Sequence, residues 1–455
     1  MDTSVMQLAI SGLLNALQPY HLLLMCLGVS GGIIVGTLPG LTATMATALL
    51  IPFTFLMGPD SGLVLLGAIW CGGVYGGANS AILLNIPGTP SSFTTTLDGY
   101  PLTLRGEADT ALFTSLLSSV IGGIFGVLIL MTVFAPLAKL SVKFGKAEYF
   151  WLVIFGLTTI SALSSGNILK GLLGGAIGLL LGTIGLDPIN ASPRFTFGYN
   201  PLIQGIALIP ALIGMFAFSQ MLSLMETNAK YIAEYTQTPG LIRKVTSYML
   251  RKCKAVLFRS SIIGTFIGIL PGAGGSVASI IAYNEAKRWD KHPERFGKGA
   301  LEGIIASEAG NNAMIGGACI PMMGLGIPGA PVAAVLMGGL LAHGIIPGSK
   351  LLQESGGIAY SFIMSLLIAN ILMLVIGYFM LKLTANILKI PSYFIVPIVL
   401  VLSTVGSFAM RNSILDVVIM VVIGLLAYLL SKVGVSPAPM SLGVILGPIA
   451  EEALG

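Results

Sequence analysis

Residues Leu116–Phe134 read LLSSVIGGIFGVLILMTVF, a run of nineteen residues without a charged side chain. A helix that crosses the hydrocarbon core of a bilayer needs about 20 predominantly apolar residues, so this run is long enough to span a membrane. The strands of a membrane β-barrel alternate apolar and polar residues over about ten positions. This run is apolar on every face, which predicts a transmembrane helix and argues against a barrel.

The whole chain has the same apolar character. Of its 455 residues, 55% are hydrophobic and 9% are charged, and its mean hydropathy is +0.93. Soluble domains carry roughly 25% charged residues. This composition excludes a soluble enzyme, a nucleic-acid-binding protein and a disordered chain. We predict an all-α polytopic integral membrane protein, because the chain has room for roughly ten to twelve membrane segments.

The sequence also contains an internal repeat. GTLPGLTATMA at Gly36–Ala46 matches GILPGAGGSVA at Gly268–Ala278, an offset of 232 residues. Two further pairs occur in the same order: Gly77–Ala81 with Ala309–Ala313, and Ile86–Pro90 with Ile327–Pro331. Six Pro-Gly dipeptides occur where about three are expected by chance, so a single Pro-Gly is no evidence of a repeat. Longer motifs that recur in the same order are evidence of one. The pairs predict two homologous halves, which in secondary transporters are often inverted repeats.

The repeat and the charge distribution divide the chain into four parts. Residues 1–19 form an N-terminal interfacial segment, residues 20–225 the first transmembrane repeat and residues 259–455 the second. Between them lies a linker, residues 226–258. The interval 226–259 holds seven Lys or Arg residues against two Glu residues. Cytoplasmic loops carry an excess of Lys and Arg, so we predict a basic cytoplasmic linker.

The Pro-Gly breaks predict interrupted membrane helices. Pro271 has no N–H to donate, and Gly272, Gly274 and Gly275 favour irregular backbone. About a dozen residues on each side of this break would make helices of about 18 Å, near half a bilayer. Irregular backbone at membrane depth is tolerated only inside protein or around a wet cavity. Each break is therefore either the tip of a re-entrant hairpin or the middle of one discontinuous helix.

The helix that starts after each break predicts a site for an anion. A helix N-terminus presents free N–H groups and the positive end of a dipole. The apolar segments supply almost no Lys or Arg, so hydroxyl groups, amides and backbone N–H groups would have to hold a carboxylate. The predicted substrate-binding residues are Pro39, Gly40, Thr42, Thr44, Asn79, Ser80, Asn85, Thr89, Pro271, Gly272, Gly274, Gly275, Ser276, Asn311 and Asn312. The alternative is that these residues only cap, bridge and closely pack helices.

Glu308 is the acidic residue of greatest interest. It lies within an apolar stretch, four residues before Asn312 and so on the same helix face. A carboxylate inside the membrane is costly and marks a functional candidate, here a proton site or Na⁺ ligand. We predict a cation-coupling role. The alternative is an interfacial charge at a helix N-terminus.

Enzyme chemistry finds no support in the sequence. The three histidines, His21, His292 and His343, have no neighbouring serine, aspartate or cysteine arrangement that indicates a triad. No P-loop sequence for nucleotide binding occurs. The four cysteines lack metal-ligand spacing. We therefore predict no enzymatic activity, no cofactor and no bound metal centre.

Seven motifs together resemble a known family. They are GTLPGLT at 36–42, LNIPGTP at 84–90, LDGYP at 97–101, PRFTFG at 193–198, LPGAGG at 270–275, ASEAGNNA at 306–313 and LGIPGAP at 325–331. The set resembles the large membrane subunit of the tripartite tricarboxylate transporters, the TctA family. The resemblance implies a multi-pass protein of the bacterial inner membrane that imports carboxylates. It also implies a small membrane subunit and a periplasmic binding protein as partners, and uptake driven by a cation gradient.

The resulting functional hypothesis is a secondary active importer of small di- or tricarboxylates, coupled to H⁺ or Na⁺. One alternative is an anion channel or pore that needs no binding protein, and another is a membrane enzyme. A channel would conduct without a binding protein and without saturation, whereas an enzyme would need a catalytic group that the sequence does not offer.

Overall fold

The computed structural model describes residues 3–145, 147–148, 151, 154–155, 158, 167–187, 192–226, 240–348, 350–388, 390 and 392–454. Residues 227–239 of the predicted linker lie outside this part of the chain. Within it, the prediction of an all-α polytopic membrane protein is confirmed. The two strands described, Gly185–Leu186 and Pro193–Arg194, form one short antiparallel hairpin.

The helices described follow one another along the whole chain. In order they are α1 (Thr3–Ala16), α2 (Pro19–Thr37), α3 (Ala43–Thr54), α4 (Pro59–Leu84), α5 (Phe93–Leu104), α6 (Ala108–Ser141), α7 (Ile168–Gly182), α8 (Leu208–Met225, with a π-helical turn at Gly214–Phe218), α9 (Leu241–Lys252), α10 (Lys254–Ile269), α11 (Gly274–Trp289), α12 (Leu301–Leu325), α13 (Pro331–Ala342), α14 (Leu351–Ile387), α15 (Ser392–Arg411), α16 (Ile414–Lys432) and α17 (Pro437–Leu454).

Seven of the described helices are long and apolar enough to cross a membrane: α2, α4, α6, α8, α14, α15 and α16. The sequence predicted ten to twelve membrane segments. The Pro-Gly breaks divide some of these into shorter helices such as α3 and α13, each of twelve residues. Helix α12 is long enough, but its polar side chains set it apart from the seven apolar spans.

Helices α4 and α12 form the centre of the protein. Every residue from Ser61 to Leu83 is buried in α4, and every residue from Glu302 to Gly324 is buried in α12. Small residues allow this close packing. A methyl group added at Gly122 of α6 would lie 2.2 Å from the carbonyl oxygen of Ala309. Polar side chains on α12 are therefore surrounded by protein.

The two predicted breaks have the same backbone geometry. Helix α2 ends at Thr37; the next residue, Leu38, is extended with φ −77° and ψ 116°, and Gly40 has φ +87°. Helix α10 ends at Ile269; the next residue, Leu270, is extended with φ −76° and ψ 121°, and Gly272 has φ +77°. Only glycine adopts such positive φ values readily. Helices α10 and α11 also pack against each other, which favours a re-entrant hairpin at the second break.

The two Ile-Pro-Gly loops pack against the breaks in the same way. A methyl group added at Gly88 would lie 2.1 Å from the carbonyl oxygen of Gly36, and one added at Gly329 would lie 2.2 Å from that of Gly268. Each contact joins equivalent motifs of the proposed repeat. The likeness supports two homologous halves, and the superposition of residues 20–225 on 258–450 remains a prediction.

Helix α9 follows the linker and is strongly amphipathic. Leu241, Val245 and Met249 are buried on one face, whereas Arg243 and Lys244 are exposed. An interfacial helix has this pattern, with basic side chains directed to water and lipid headgroups. The arrangement fits a position at a membrane surface, and its cytoplasmic side is a prediction.

We expect a single cysteine at Lys244 to be cytoplasmic, because positive loops are retained inside. The background would lack Cys26, Cys71, Cys253 and Cys319. An impermeant thiol reagent should then leave the cysteine unmodified in cells with a permeabilised outer membrane, and should label it in inside-out vesicles. Rapid labelling in the cells would reverse the assigned orientation.

Candidate functional site

A cavity of about 290 Å³ is lined by residues from both predicted repeats. Thr42 and Thr44, which follow the first break, line it together with Gly275 and Ser276, which follow the second. The halves are joined beside the cavity by a hydrogen bond of 2.9 Å from Ser279 Oγ to the carbonyl oxygen of Ser91. The residues after both breaks therefore share one cavity.

Four helices begin at the cavity wall. The lining includes the first residue of α3, α13 and α17, which are Ala43, Pro331 and Pro437, and the second residue of α11, Gly275. Two of these ends are capped: Thr42 Oγ1 accepts from the N–H of Met45 at 3.1 Å, and Ser436 Oγ accepts from that of Ala438 at 3.3 Å. Converging N-termini make the cavity electropositive.

The polar side chains that line the cavity are uncharged. Among the described residues they are threonines, serines and one glutamine: Thr42, Thr44, Thr89, Ser91, Ser219, Gln220, Ser223, Ser276, Ser431 and Ser436. Apolar side chains such as Val74, Met215 and Met314 make up much of the rest. The cavity can therefore stabilise a negative charge through helix ends and hydroxyl groups, and can enclose the carbon skeleton of a small molecule.

Five of the predicted site residues line this cavity: Thr42, Thr44, Thr89, Gly275 and Ser276. Pro39, Gly40, Pro271, Gly272 and Gly274 form the breaks themselves. Asn85 has a different position. It is exposed and caps the C-terminal end of α4 with a left-handed φ of 58°, a common role for asparagine. Its structure fits the alternative interpretation, that of a helix cap.

The remaining predicted residues do not line the cavity. Asn79 is buried, and its Nδ2 donates to Thr37 Oγ1 at 3.0 Å. Ser80 Oγ donates to the carbonyl oxygen of Gly77 at 3.4 Å. Asn311 is completely buried, and neither polar atom of its amide has a hydrogen-bond partner in the described structure. A methyl group added at Gly275 would lie 2.2 Å from Asn311 Oδ1, so this amide lies directly behind a cavity-lining residue.

Glu308 lies deep in the protein, not at its surface. It is completely buried, two turns into α12, which is inconsistent with an exposed interfacial charge. Thr95 Oγ1 donates to its Oε1, and Ser119 Oγ donates to its Oε2 at 3.2 Å. The ion pairs of the described region include none to Glu308. A buried carboxylate without a basic partner needs a proton or a bound cation to neutralise it.

Glu308 and the cavity are linked through one helix. The Nδ2 atom of Asn312 donates to the carbonyl oxygen of Glu308 at 3.1 Å, and Asn312 Oδ1 has no partner among the described residues. Asn311, the residue before it, contacts the cavity-lining Gly275. Glu308 is therefore about one turn along α12 from Asn311 and Asn312, two of the predicted substrate-binding residues.

Sequence reasoning missed one side of the cavity. Residues of α8 and of the α16–α17 connection line it: Met215, Phe216, Ser219, Gln220, Ser223, Ser431, Ser436, Pro437 and Ala438. The Ser436-Pro437 pair carries a readable signal, because serine at the N-cap followed by proline marks a helix start. Trp70, which also lines the cavity, lies within α4 and belongs to no motif of that kind.

Comparison with known proteins gives a consistent result. The chain matches the family model "Tripartite tricarboxylate transporter TctA family" over residues 22–442. It is 35% identical over 447 residues to an Agrobacterium vitis protein described as an uncharacterized 52.8 kDa protein in the TAR-I ttuC' 3'region, covering 97% of this chain and 88% of that protein. An uncharacterized A. vitis protein in the TAR-II ttuC' 3'region is 36% identical over 191 residues, covering 42% of this chain and 79% of that protein. No solved structure matches the chain.

Proposed function

Because this chain belongs to the tripartite tricarboxylate transporter TctA family, we propose that it is a secondary active importer of small di- or tricarboxylates. The observation that carries the proposal is the cavity into which four helix N-termini converge. An anion that leaves water needs donors, and an unpaired buried charge costs several kcal/mol. Helix ends supply the positive potential and the free N–H groups without a buried cation.

Glu308 is the proposed coupling residue. Its carboxylate is buried, is hydrogen-bonded by two hydroxyl groups and lies next to the asparagines behind the cavity. Binding of H⁺ or Na⁺ would remove its charge and so lower the cost of bringing a second anion nearby. Occupation of the cation site and of the cavity would then favour each other, as thermodynamic linkage requires.

We further propose that the protein works in the bacterial inner membrane with a small membrane subunit and a periplasmic binding protein. The membership of a tripartite transporter family supports such partners. The competing hypothesis is an anion channel or pore that works without a binding protein. Uptake that saturates with substrate, depends on the binding protein and proceeds against a gradient supports the importer. Conductance without these features would support the channel.

Ser276→Ala should weaken carboxylate uptake about five- to thirty-fold, because losing one hydrogen bond to a charged group costs roughly 1–2 kcal/mol. Ser276 is exposed and lines the cavity at the second break. Initial uptake rates at low substrate, at equal amounts of protein in the membrane, measure the effect. Ser11→Ala, at an exposed position of α1, is the control and should behave like the wild type. Equal uptake by both variants would place the substrate away from this turn.

A further inference from the structure

Trp70 is a buried donor beside the cavity. It lies near the middle of α4, is 0% exposed and lines the cavity together with Val74, one turn further along the helix. Its indole Nε1 has no hydrogen-bond partner in the part of the chain that the structure describes. The indole N–H can only donate, so a partner must be an acceptor. Buried polar groups of native proteins are almost always paired, so this one calls for an acceptor that the described residues do not supply.

The surroundings of Trp70 indicate what that acceptor is. The cavity beside it receives helix ends and hydroxyl groups that suit an anion, and its polar lining among the described residues is uncharged. Asn311 offers a second buried amide without a partner, behind Gly275. Trp70 and Asn311 lie on α4 and α12, the two central helices. Both halves of the protein thus leave buried polar atoms unpaired around the same space.

We propose that the indole N–H of Trp70 donates a hydrogen bond to a carboxylate oxygen of the transported substrate. This inference rests on the proposed function, and it adds a substrate-binding residue that no motif marks. The face of the ring would at the same time pack against the carbon skeleton, together with Val74 and Met314, which line the same cavity. A site built to donate to an oxygen rejects ligands that lack it, so Trp70 would contribute to specificity as well as to affinity.

The chain offers a direct spectroscopic test, because it has three tryptophans. Trp151 and Trp289 are 67% and 68% exposed, so both can be replaced by phenylalanine to leave Trp70 as the sole reporter. Titration of this purified protein with citrate and with succinate should produce a saturable change in tryptophan fluorescence. The wild type and the double variant should bind these ligands equally in calorimetry, because the two replaced residues lie outside the cavity lining.

A second variant separates the hydrogen bond from packing. Benzothienylalanine has the shape of tryptophan with sulfur in place of the N–H, and nonsense suppression can place it at position 70. It should weaken carboxylate binding roughly five- to thirty-fold, as the loss of one hydrogen bond to a charged group does. Trp70→Phe should weaken binding at least as much, because it also removes ring contacts. Melting curves of the purified variants identify any that are misfolded.

The outcomes separate this inference from the function on which it rests. If the wild type binds carboxylate and the benzothienylalanine protein binds it equally well, Trp70 does not donate to substrate and the importer proposal still stands. The same holds if Trp70 fluorescence does not respond to a ligand that calorimetry shows to be bound. If the wild type neither binds nor transports any carboxylate tested, with its partners present, both proposals are wrong.

Discussion

Glu308→Gln is expected to abolish uphill accumulation of substrate while leaving part of substrate binding intact. Glutamine has nearly the shape of the carboxyl group and can still bond Thr95 and Ser119, which hold Glu308 in the structure. It carries no charge and binds neither a proton nor Na⁺ in place of the carboxylate. The coupling free energy between cation and substrate is therefore removed, and the ratio of internal to external substrate should fall to about one.

Vesicles with an imposed H⁺ or Na⁺ gradient measure this effect. Exchange of labelled for unlabelled substrate, without a gradient, should persist in the variant. Glu354→Gln changes an exposed carboxylate at the start of α14 in the same way and should accumulate substrate normally. Gradient-driven accumulation by Glu308→Gln equal to that of the wild type would show that Glu308 is not the coupling residue. The gradient that drives the wild type identifies the ion.

Gly275→Val should have the second large effect, a loss of substrate binding at the cavity wall. A side chain at this position would place its Cβ 2.2 Å from Asn311 Oδ1 and 2.8 Å from Ser91 Cβ. The Asn311 side chain is completely buried and Ser91 Cβ is fixed to the backbone, so the wall must shift to make room. Overpacking costs about 1–3 kcal/mol, which predicts a roughly five- to 150-fold fall in uptake at low substrate. Uptake by Gly275→Ala should be intermediate between that of Gly275→Val and that of the wild type.

Gly31→Val is the matched control, because it adds the same side chain at a position in α2 where the surrounding space is open. It should transport like the wild type at equal membrane abundance. Gly274 is a contrasting neighbour. Its φ is +59° and a methyl group there would meet Pro331 only at 3.8 Å, so Gly274→Val should act through backbone strain. Normal uptake by Gly275→Val would exclude this wall from the site.

The breaks were the most predictable part of the site. Proline removes a donor and glycine permits a positive φ, so the Leu-Pro-Gly motifs fix where α2 and α10 end and where α3 and α11 begin. The repeat then predicted that the N-termini of α3 and α11 face a common cavity. Thr42 and Ser276, at these two N-termini, line the same cavity. Local backbone chemistry was sufficient for these predictions.

Other features depend on packing, which an apolar sequence does not encode visibly. Helix α8 is mostly apolar, and its few polar residues do not mark one face by themselves, so the sequence could not show that Ser219 and Gln220 line the cavity. Asn85 shows the opposite difficulty. An asparagine before Ile-Pro-Gly suits both a ligand and a left-handed helix cap, and only the backbone, with φ 58°, distinguishes the two. The unpaired indole of Trp70 likewise becomes visible only when its neighbours are known.

The convergence of four helix N-termini has a consequence for how substrate leaves. In a site built on arginine, the attractive charge is attached to a side chain and remains wherever the chain can reach. In the proposed site the attraction comes from helix ends and falls off within about one turn of each. A small separation of α3 and α13 from α11 and α17 would therefore disperse the positive potential. Release would then need no ion pair to be broken, and affinity would be set by the conformation of the protein.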